Sequence, residues 1–229
     1  MRKIFIALDT KNKTRVKKII SSTKLKAKNY KIYYKFGLEF FYSKDGRNLI
    51  SKFNRIPIFL DLKLNDIPNT AVGAIKSLKD LKNINYLTVH MNGGYEMVKK
   101  VKSISRIINR KIKIIGVTVL TSLSSKSIKE IGFNRKINNI VVSQAKLAKK
   151  AKLDGIVCSA HEIKVVKKIC KGMEIITPGI RLDKKKQDQK RVLSPSDAFK
   201  NGATAIVIGR PITKGNIKRN FIKLVNSLN

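Results

Sequence analysis

Short apolar runs with strand character alternate with longer segments of 3.6-residue periodicity eight times along this chain, and few folds accommodate that rhythm. The runs are KIFIALD, YYKFGLEFF, IPIFLDLK, YLTVHM, KIIGVTVL, GIVCSA, EIITPGI and AIVIGR. Between them, segments such as Thr14–Lys26, Asn69–Leu81, Ile137–Ala151 and His161–Cys170 pair an apolar stripe with a Lys-rich face, the pattern of a helix with one buried side. Near-continuous apolar strands are buried on both faces, which calls for a parallel sheet covered by helices. Eight such units in 229 residues match a closed (β/α)8 TIM barrel better than an open doubly wound sheet. No linker or shift in composition divides the chain, so residues 1–229 read as a single domain.

A barrel of this kind carries its chemistry where strands end and the following loops begin. The polar residues at those places are Asp9, Lys35, Asp61 with Lys63, His90, Thr121 with Ser122, Ser159 with His161, Gly179 to Arg181, and Gly209 with Arg210. Lysines of a Lys-rich chain belong on solvated helix faces, so Lys35 and Lys63 inside apolar strands need partners. In DLKLNDIPNT, Asp61 and Asp66 flank Lys63, although the chain has only nine Asp. Asp61 and Lys63 are two apart on an extended strand and so point to one side, with Asp66 beyond them in the loop. Desolvating several charges at one strand end costs several kcal/mol each, and that concentration points to chemistry ahead of a structural ion network. A second signal is ITPGIR followed by AIVIGRPIT. Glycine beside arginine at the ends of strands seven and eight suits a phosphate site, where backbone N–H groups and a guanidinium hold the dianion.

The formal charge of +37, from 51 Lys+Arg against 14 Asp+Glu, invites a nucleic-acid reading. Forty of those cations are Lys and eleven Arg, spread through every helical segment, and aromatic residues for base stacking make up only 7%. That distribution describes a solvated surface set by compositional bias, and no specific nucleic-acid partner is expected. Cys158 and Cys170 form neither a C-x-x-C nor a zinc-ligand spacing, which fits a reducing compartment. MRKIFIALDT has five apolar residues before Asp9, too few for a signal segment, and no later run approaches a membrane span. A cytoplasmic enzyme with no membrane partner is the expectation.

Taken in order, ALD at Asp9, KFG at Lys35, DLKLNDIPNT, VLTS at Thr121, TPGIR at Arg181, DQKRV at Gln189 and VIGRPIT at Arg210 resemble the orotidine 5′-phosphate decarboxylase family along the whole chain. The D-x-K-x-x-D core is shared with keto-gulonate-phosphate decarboxylases and hexulose-phosphate synthases. IPNT after Asp66 and the Arg181 to Gln189 loop narrow the choice. The resemblance implies cofactor-independent decarboxylation of orotidine 5′-phosphate to UMP, with no metal. It implies Lys63 as proton donor to C6 of the pyrimidine, within a charge array completed by Lys35, Asp61 and Asp66. Asp66 and Thr70 would reach into the neighbouring subunit's site, which implies a homodimer with shared active sites. Asp9 would hold the ribose, Thr121 and Ser122 would lie near the pyrimidine, and Gln189, Gly209 and Arg210 would grip phosphate with Arg181 nearby. Two departures stand out: Met91 and Asn92 where small residues are usual, and KKKQ, which makes the phosphate loop unusually basic.

The remaining polar residues carry plainer readings. His90 and His161 have no nearby carboxylate pair and read as hydrogen-bonded structural residues, Cys158 reads as core, and TSLSSKS lacks the G-x-S-x-G elbow of a hydrolase nucleophile. The long polar loop around Lys184–Lys186 is expected to be mobile. The rivals are a magnesium-dependent sugar-phosphate decarboxylase or aldolase on the same barrel, separable by its sensitivity to EDTA, and a basic nucleic-acid-binding protein, separable by salt-dependent RNA binding.

Overall fold

The computed structural model describes residues 1–24, 29–53, 56–108, 111–182 and 193–228. In chain order the elements are β1 (Arg2–Ala7), α1 (Lys13–Ser22), β2 (Tyr30–Gly37), α2 (Leu38–Phe41), α3 (Gly46–Ser51), β3 (Ile58–Leu64), α4 (Pro68–Lys76) and β4 (Ile84–His90). They continue as α5 (Gly94–Ile108), β5 (Lys113–Val117), α6 (Ser125–Glu130), α7 (Ile137–Lys150), β6 (Gly155–Val157), α8 (Ile163–Ile169), β7 (Glu174–Thr177), α9 (Pro195–Asn201), β8 (Ala205–Ile208), α10 (Arg210–Thr213) and α11 (Ile217–Asn226). The eight strands pair in parallel, each with the next, and β8 pairs with β1 to close the barrel. Fold class is therefore the (β/α)8 barrel that the alternation requires.

Local chemistry sets the element ends. Asn12, Ser124, Ser194 and Asn216 each accept a backbone N–H from the residue three further on, capping α1, α6, α9 and α11, and Pro68 and Pro195 stand in the first turns of α4 and α9. Several elements depart from the sequence expectation. LEFF turns into the short helix α2, because pairing of β2 with β3 stops at Gly37 opposite Asp61 and the chain bends there. The helix expected over Asn69–Leu81 ends at Lys76, and a series of turns carries the still-buried Leu78 and Leu81 to β4. The helix expected from His161 begins at Ile163, since the Glu162 carboxylate turns back to accept the Ser159 N–H at 2.6 Å. Helix α1 stops at Ser22, where the Thr23 hydroxyl donates to the Ile19 carbonyl at 2.8 Å.

Residue alternation divides each strand between two cores. Leu60, Leu87 and Val89 face the helix layer, whereas Phe5, Tyr33, Phe59, Tyr86, Ile115, Ile176 and Ala205 pack inside the barrel. Phe5 meets Phe59 and Tyr86 at ring-centroid distances of 4.8 and 5.0 Å, and Tyr33 meets Tyr86 edge-on at 5.2 Å. Each such pair adds about 0.5–1.5 kcal/mol beyond burial. Beneath this plug, Glu174 pairs with Lys3 at 2.6 Å and with Lys113, and accepts the Tyr86 hydroxyl. Burial pushes the Glu174 carboxyl up, but the Lys113 and Lys3 ammonium groups outweigh it and hold it below the usual carboxylate range. With its N-terminal half filled, the barrel has room for a ligand only at the C-terminal mouth.

Candidate active site

A cavity of about 360 Å³ opens at that mouth, lined by residues from the ends of β1, β2, β3, β5, β6, β7 and β8. Inward positions one layer above the aromatic plug supply its charged wall. Asp61 lies at the centre: its Oδ2 is 3.2 Å from Lys35 Nζ and its Oδ1 is 3.0 Å from Lys63 Nζ. Lys35 Nζ also reaches Asp9 Oδ1 at 3.3 Å, so charges alternate as Asp9, Lys35, Asp61, Lys63 across three strands. The middle of this row is its most buried part, with 11% exposure for the Lys35 side chain and 13% for Asp61 against 33% for Lys63 and 62% for Asp9. Burial alone would raise the Asp61 carboxyl, but Lys35 and Lys63 outweigh it and hold Asp61 below the usual carboxylate range. Burial alone would lower the Lys35 ammonium; Asp61 and Asp9 overcome that and hold it above its ordinary value. Lys35 and Asp61 therefore stay a charged pair at neutral pH.

The neighbouring positions of Asp61 and Lys63 do not come from the regular strand that an i, i+2 spacing suggests. The β3–β4 register slips between Leu60 and Leu64, and Lys63 takes φ +48°, one of two positive-φ residues other than glycine among the described residues. A left-handed lysine costs about 1–2 kcal/mol and persists only where surrounding contacts enforce it. Thr88 on β4 makes those contacts: its hydroxyl accepts the Lys63 N–H at 2.8 Å and donates to Asp61 Oδ1 at 3.0 Å. Thr88 is fully buried and was not among the sequence candidates; only the pairing of β4 with the slipped β3 gives it this position.

The rest of the lining comes from Thr121, Gly179, Arg181, Gly209 and Arg210, with Val119, Leu120, Pro178 and Val207 adding apolar surface. Gly179 has φ +77°, a conformation that a side chain would strain, and it turns the chain after β7. A bridge between Ile180 and Leu193 brings the two ends of the following loop together beside Arg181. A Cβ at Gly209 would come within 3.5 Å of an Asp9 carboxylate oxygen, so backbone approaches this corner closely. Counting the lining charges, four cations (Lys35, Lys63, Arg181, Arg210) face two carboxylates (Asp9, Asp61). That surplus matches a ligand carrying a dianion.

Other sequence candidates fall elsewhere. Asp66 is exposed in the loop after β3 and its carboxylate accepts the N–H of Ile67 at 2.7 Å; Thr70, on α4, is exposed as well, and neither lines this chain's cavity. Thr121 and Ser122 are both exposed, and of the two only Thr121 lines the cavity. Gln189 and the Lys184–Lys186 segment lie outside the described residues. His90 Nδ1 accepts the Asn92 N–H at 3.2 Å, and burial together with Lys63 lowers its imidazole below the ordinary value. His161 and Ser159 line a separate groove with Lys136 and Glu162. Cys158 borders the cavity, but burial, with Glu162 adding, pushes its thiol well up, which leaves it an unreactive wall. Met91 is buried against Gly116, where a Cβ would come within 2.5 Å of its sulfur, and the Asn92 side-chain oxygen accepts from Gln144 at 2.8 Å. Local packing thus absorbs both unusual residues of VHMNGG.

Comparison with characterised proteins agrees with this geometry. The sequence profile described as "Orotidine 5'-phosphate decarboxylase / HUMPS family" matches residues 2–221. A protein named orotidine 5′-phosphate decarboxylase from Wolbachia sp. subsp. Brugia malayi (strain TRS) is 43% identical over 228 residues, covering 98% of each chain. Its namesake from Wolbachia pipientis subsp. Culex pipiens (strain wPip) is 45% identical over 194 residues, 83% of this chain and 84% of that one. Among solved structures, orotidine 5′-phosphate decarboxylase from Lactobacillus acidophilus superposes with a TM-score of 0.85 at 34% identity, covering 100% of both chains.

Proposed function

The chain belongs to the orotidine 5′-phosphate decarboxylase / HUMPS family and decarboxylates orotidine 5′-phosphate in pyrimidine biosynthesis; from that premise we propose that Lys63 protonates C6 within the Asp9, Lys35, Asp61, Lys63 array. The observation that carries this reading is the alternating ion row in a cavity that Arg181, Gly209 and Arg210 also line. When the C6–carboxylate bond breaks, CO2 departs and its electron pair stays on C6, where no adjacent carbonyl or cofactor accepts it. Fixed charge must stabilise that pair, and an ammonium already oriented by Asp61 does so without reorganising solvent. The same ammonium then transfers a proton to C6, giving UMP and a neutral amine that water reprotonates. Asp61, kept ionised by its two lysines, also repels the substrate carboxylate, which favours its loss.

Phosphate is gripped, in this reading, by Arg210, the Gly209 backbone and Gln189, with Arg181 beside them, while Asp9 and Lys35 take the ribose and Thr121 and Ser122 lie near the pyrimidine. Phosphate contacts far from C6 contribute to rate when their energy closes the site and expels water. Asp66 and Thr70 would complete the site of a second copy in a homodimer. Their exposure, beside an Ile67 that is 67% exposed, supports a surface that another subunit covers. No described helix is long and apolar enough to cross a membrane, and both cysteines are free and buried, in keeping with the cytoplasmic role we assign.

The test follows orotidine 5′-phosphate absorbance after adding purified protein in excess EDTA. Loss of absorbance with stoichiometric UMP supports the reading. Activity that vanishes in EDTA and returns with magnesium would transfer the chain to the metal-dependent branch of the same barrel.

A further inference from the structure

We propose that Thr88 is a positioning residue for decarboxylation: one buried hydroxyl holds both the backbone and, through Asp61, the ammonium of Lys63. This inference rests on the reading of Lys63 as proton donor. Residue alternation along β4 turns Tyr86, Thr88 and His90 into the barrel, and Thr88 sits one layer above the aromatic plug with no exposure. On the facing strand, Leu60 pairs with Leu87 but Leu64 pairs with Val89, so four steps of β3 run beside two of β4. The extra residues bulge, Lys63 goes to φ +48°, and its N–H leaves the regular ladder. That N–H needs an acceptor once it leaves the ladder, and the buried Thr88 supplies it through Oγ1 at 2.8 Å.

Donor and acceptor directions around Thr88 are forced. The Lys63 N–H can only donate and the ionised Asp61 carboxylate can only accept, so the single Thr88 proton goes to Asp61 Oδ1 at 3.0 Å. That same oxygen pairs with Lys63 Nζ at 3.0 Å. Thr88 therefore touches both ends of one lysine, its backbone directly and its ammonium through a shared oxygen. A valine of the same shape would take the acceptor from that N–H and free the bulge to relax towards extended backbone, which swings the ammonium away from C6. Thr88 does not line the cavity, so ligand affinity should not depend on it.

Four variants, Thr88→Val, Thr88→Ser, Thr88→Ala and Lys63→Ala, test this in the full-length enzyme. The expected result is a kcat for Thr88→Val lower by about 100-fold, the scale of an ångström-level misplacement. KM and UMP affinity should stay within about threefold, and the acid limb of the pH profile should move upward as Asp61 loses a donor. Thr88→Ser should recover kcat to within about fivefold, while Thr88→Ala behaves as Thr88→Val. The Ser and Ala variants lose the same methyl and differ in one oxygen, so this pair carries the test if Thr88→Val does not fold. A Thr88→Ala kcat equal to that of Thr88→Ser, or equal losses in kcat and UMP affinity, would overturn the assignment. If Lys63→Ala is inactive while all Thr88 variants turn over normally, this inference alone fails; normal turnover by Lys63→Ala instead refutes the reading beneath it.

Discussion

Replacing Lys63 with alanine should abolish turnover while sparing both fold and product binding, and the geometry sets the size of each effect. Truncation removes the ion pair at 3.0 Å, but Asp61 keeps Lys35 at 3.2 Å and the Thr88 hydroxyl at 3.0 Å, so no carboxylate is orphaned. The Lys63 side chain is one-third exposed, which discounts the lost pair to about 1 kcal/mol of stability. Alanine keeps the left-handed strain at φ +48°, whereas Lys63→Gly removes it and should be about 1 kcal/mol more stable than Lys63→Ala. Catalysis loses two things together. Proton delivery is worth about 10²–10⁴ in rate, and one preorganised charge beside a developing carbanion about 10²–10³. Turnover should therefore fall by about 10⁴–10⁷, or roughly 5–10 kcal/mol of barrier. UMP affinity should hold, since the arginines and glycines proposed for phosphate follow β7 and β8, whereas Lys63 belongs to β3. Single-turnover absorbance assays, titration calorimetry with UMP and urea denaturation measure the three quantities. Turnover within tenfold of the unmodified enzyme would refute the proton-donor assignment, and a stability loss of several kcal/mol would refute the claim that Asp61 remains satisfied.

Arg210→Ala should weaken phosphate-bearing ligands by about 1.5–3 kcal/mol, the worth of a charge-assisted hydrogen bond, with partial rescue by added guanidinium; an unchanged KM for orotidine 5′-phosphate would move the phosphate site elsewhere. Mixing Asp66→Asn with Lys63→Ala should regenerate up to about a quarter of normal activity per protomer, because half of randomly re-paired dimers are mixed and each carries one intact site. Verified subunit exchange without recovered activity would return Asp66 to its own chain. Stability should also fall on mild acidification because of His90, whose imidazole burial and Lys63 hold below its ordinary value. The unfolded chain then takes the proton first, so this contribution is complete above about pH 6.5 and drains away as pH drops through the folded value. Denaturant titrations between pH 5 and 7.5 should show that slope flattened in His90→Gln, and an unaltered slope would exclude the histidine as its source.

Much of this site could be read along the chain because its logic is local. Apolar runs of strand length specify eight strands whichever neighbours they meet, and a barrel built from them places Asp9, Lys35, Asp61, Arg181 and Gly209 at one mouth. Gly179 at positive φ and the capping residues of α1, α6, α9 and α11 are likewise decided by their own few residues. LEFF forms a helix and not the strand its run suggests, because its apolar composition suits either state and only the end of the β2–β3 pairing at Gly37 chooses the helix.

What the tertiary structure alone decided are the features that depend on two strands meeting. Period-2 reasoning puts Asp61 and Lys63 on one side of a regular strand; they do meet, but through a register slip and a left-handed lysine. Thr88 reads in sequence as one more β-branched strand residue, and its relay to both ends of Lys63 exists only once β4 lies against the slipped β3. The Glu174 cluster that plugs the barrel floor draws Lys3, Tyr86 and Lys113 from segments up to 171 residues apart. Period and composition act through a residue's immediate neighbours, so the chain by itself specifies which elements form and which side chains stand at their ends. Register, bulges and buried polar relays are minima of pairing between distant segments, and those arise only when the barrel closes.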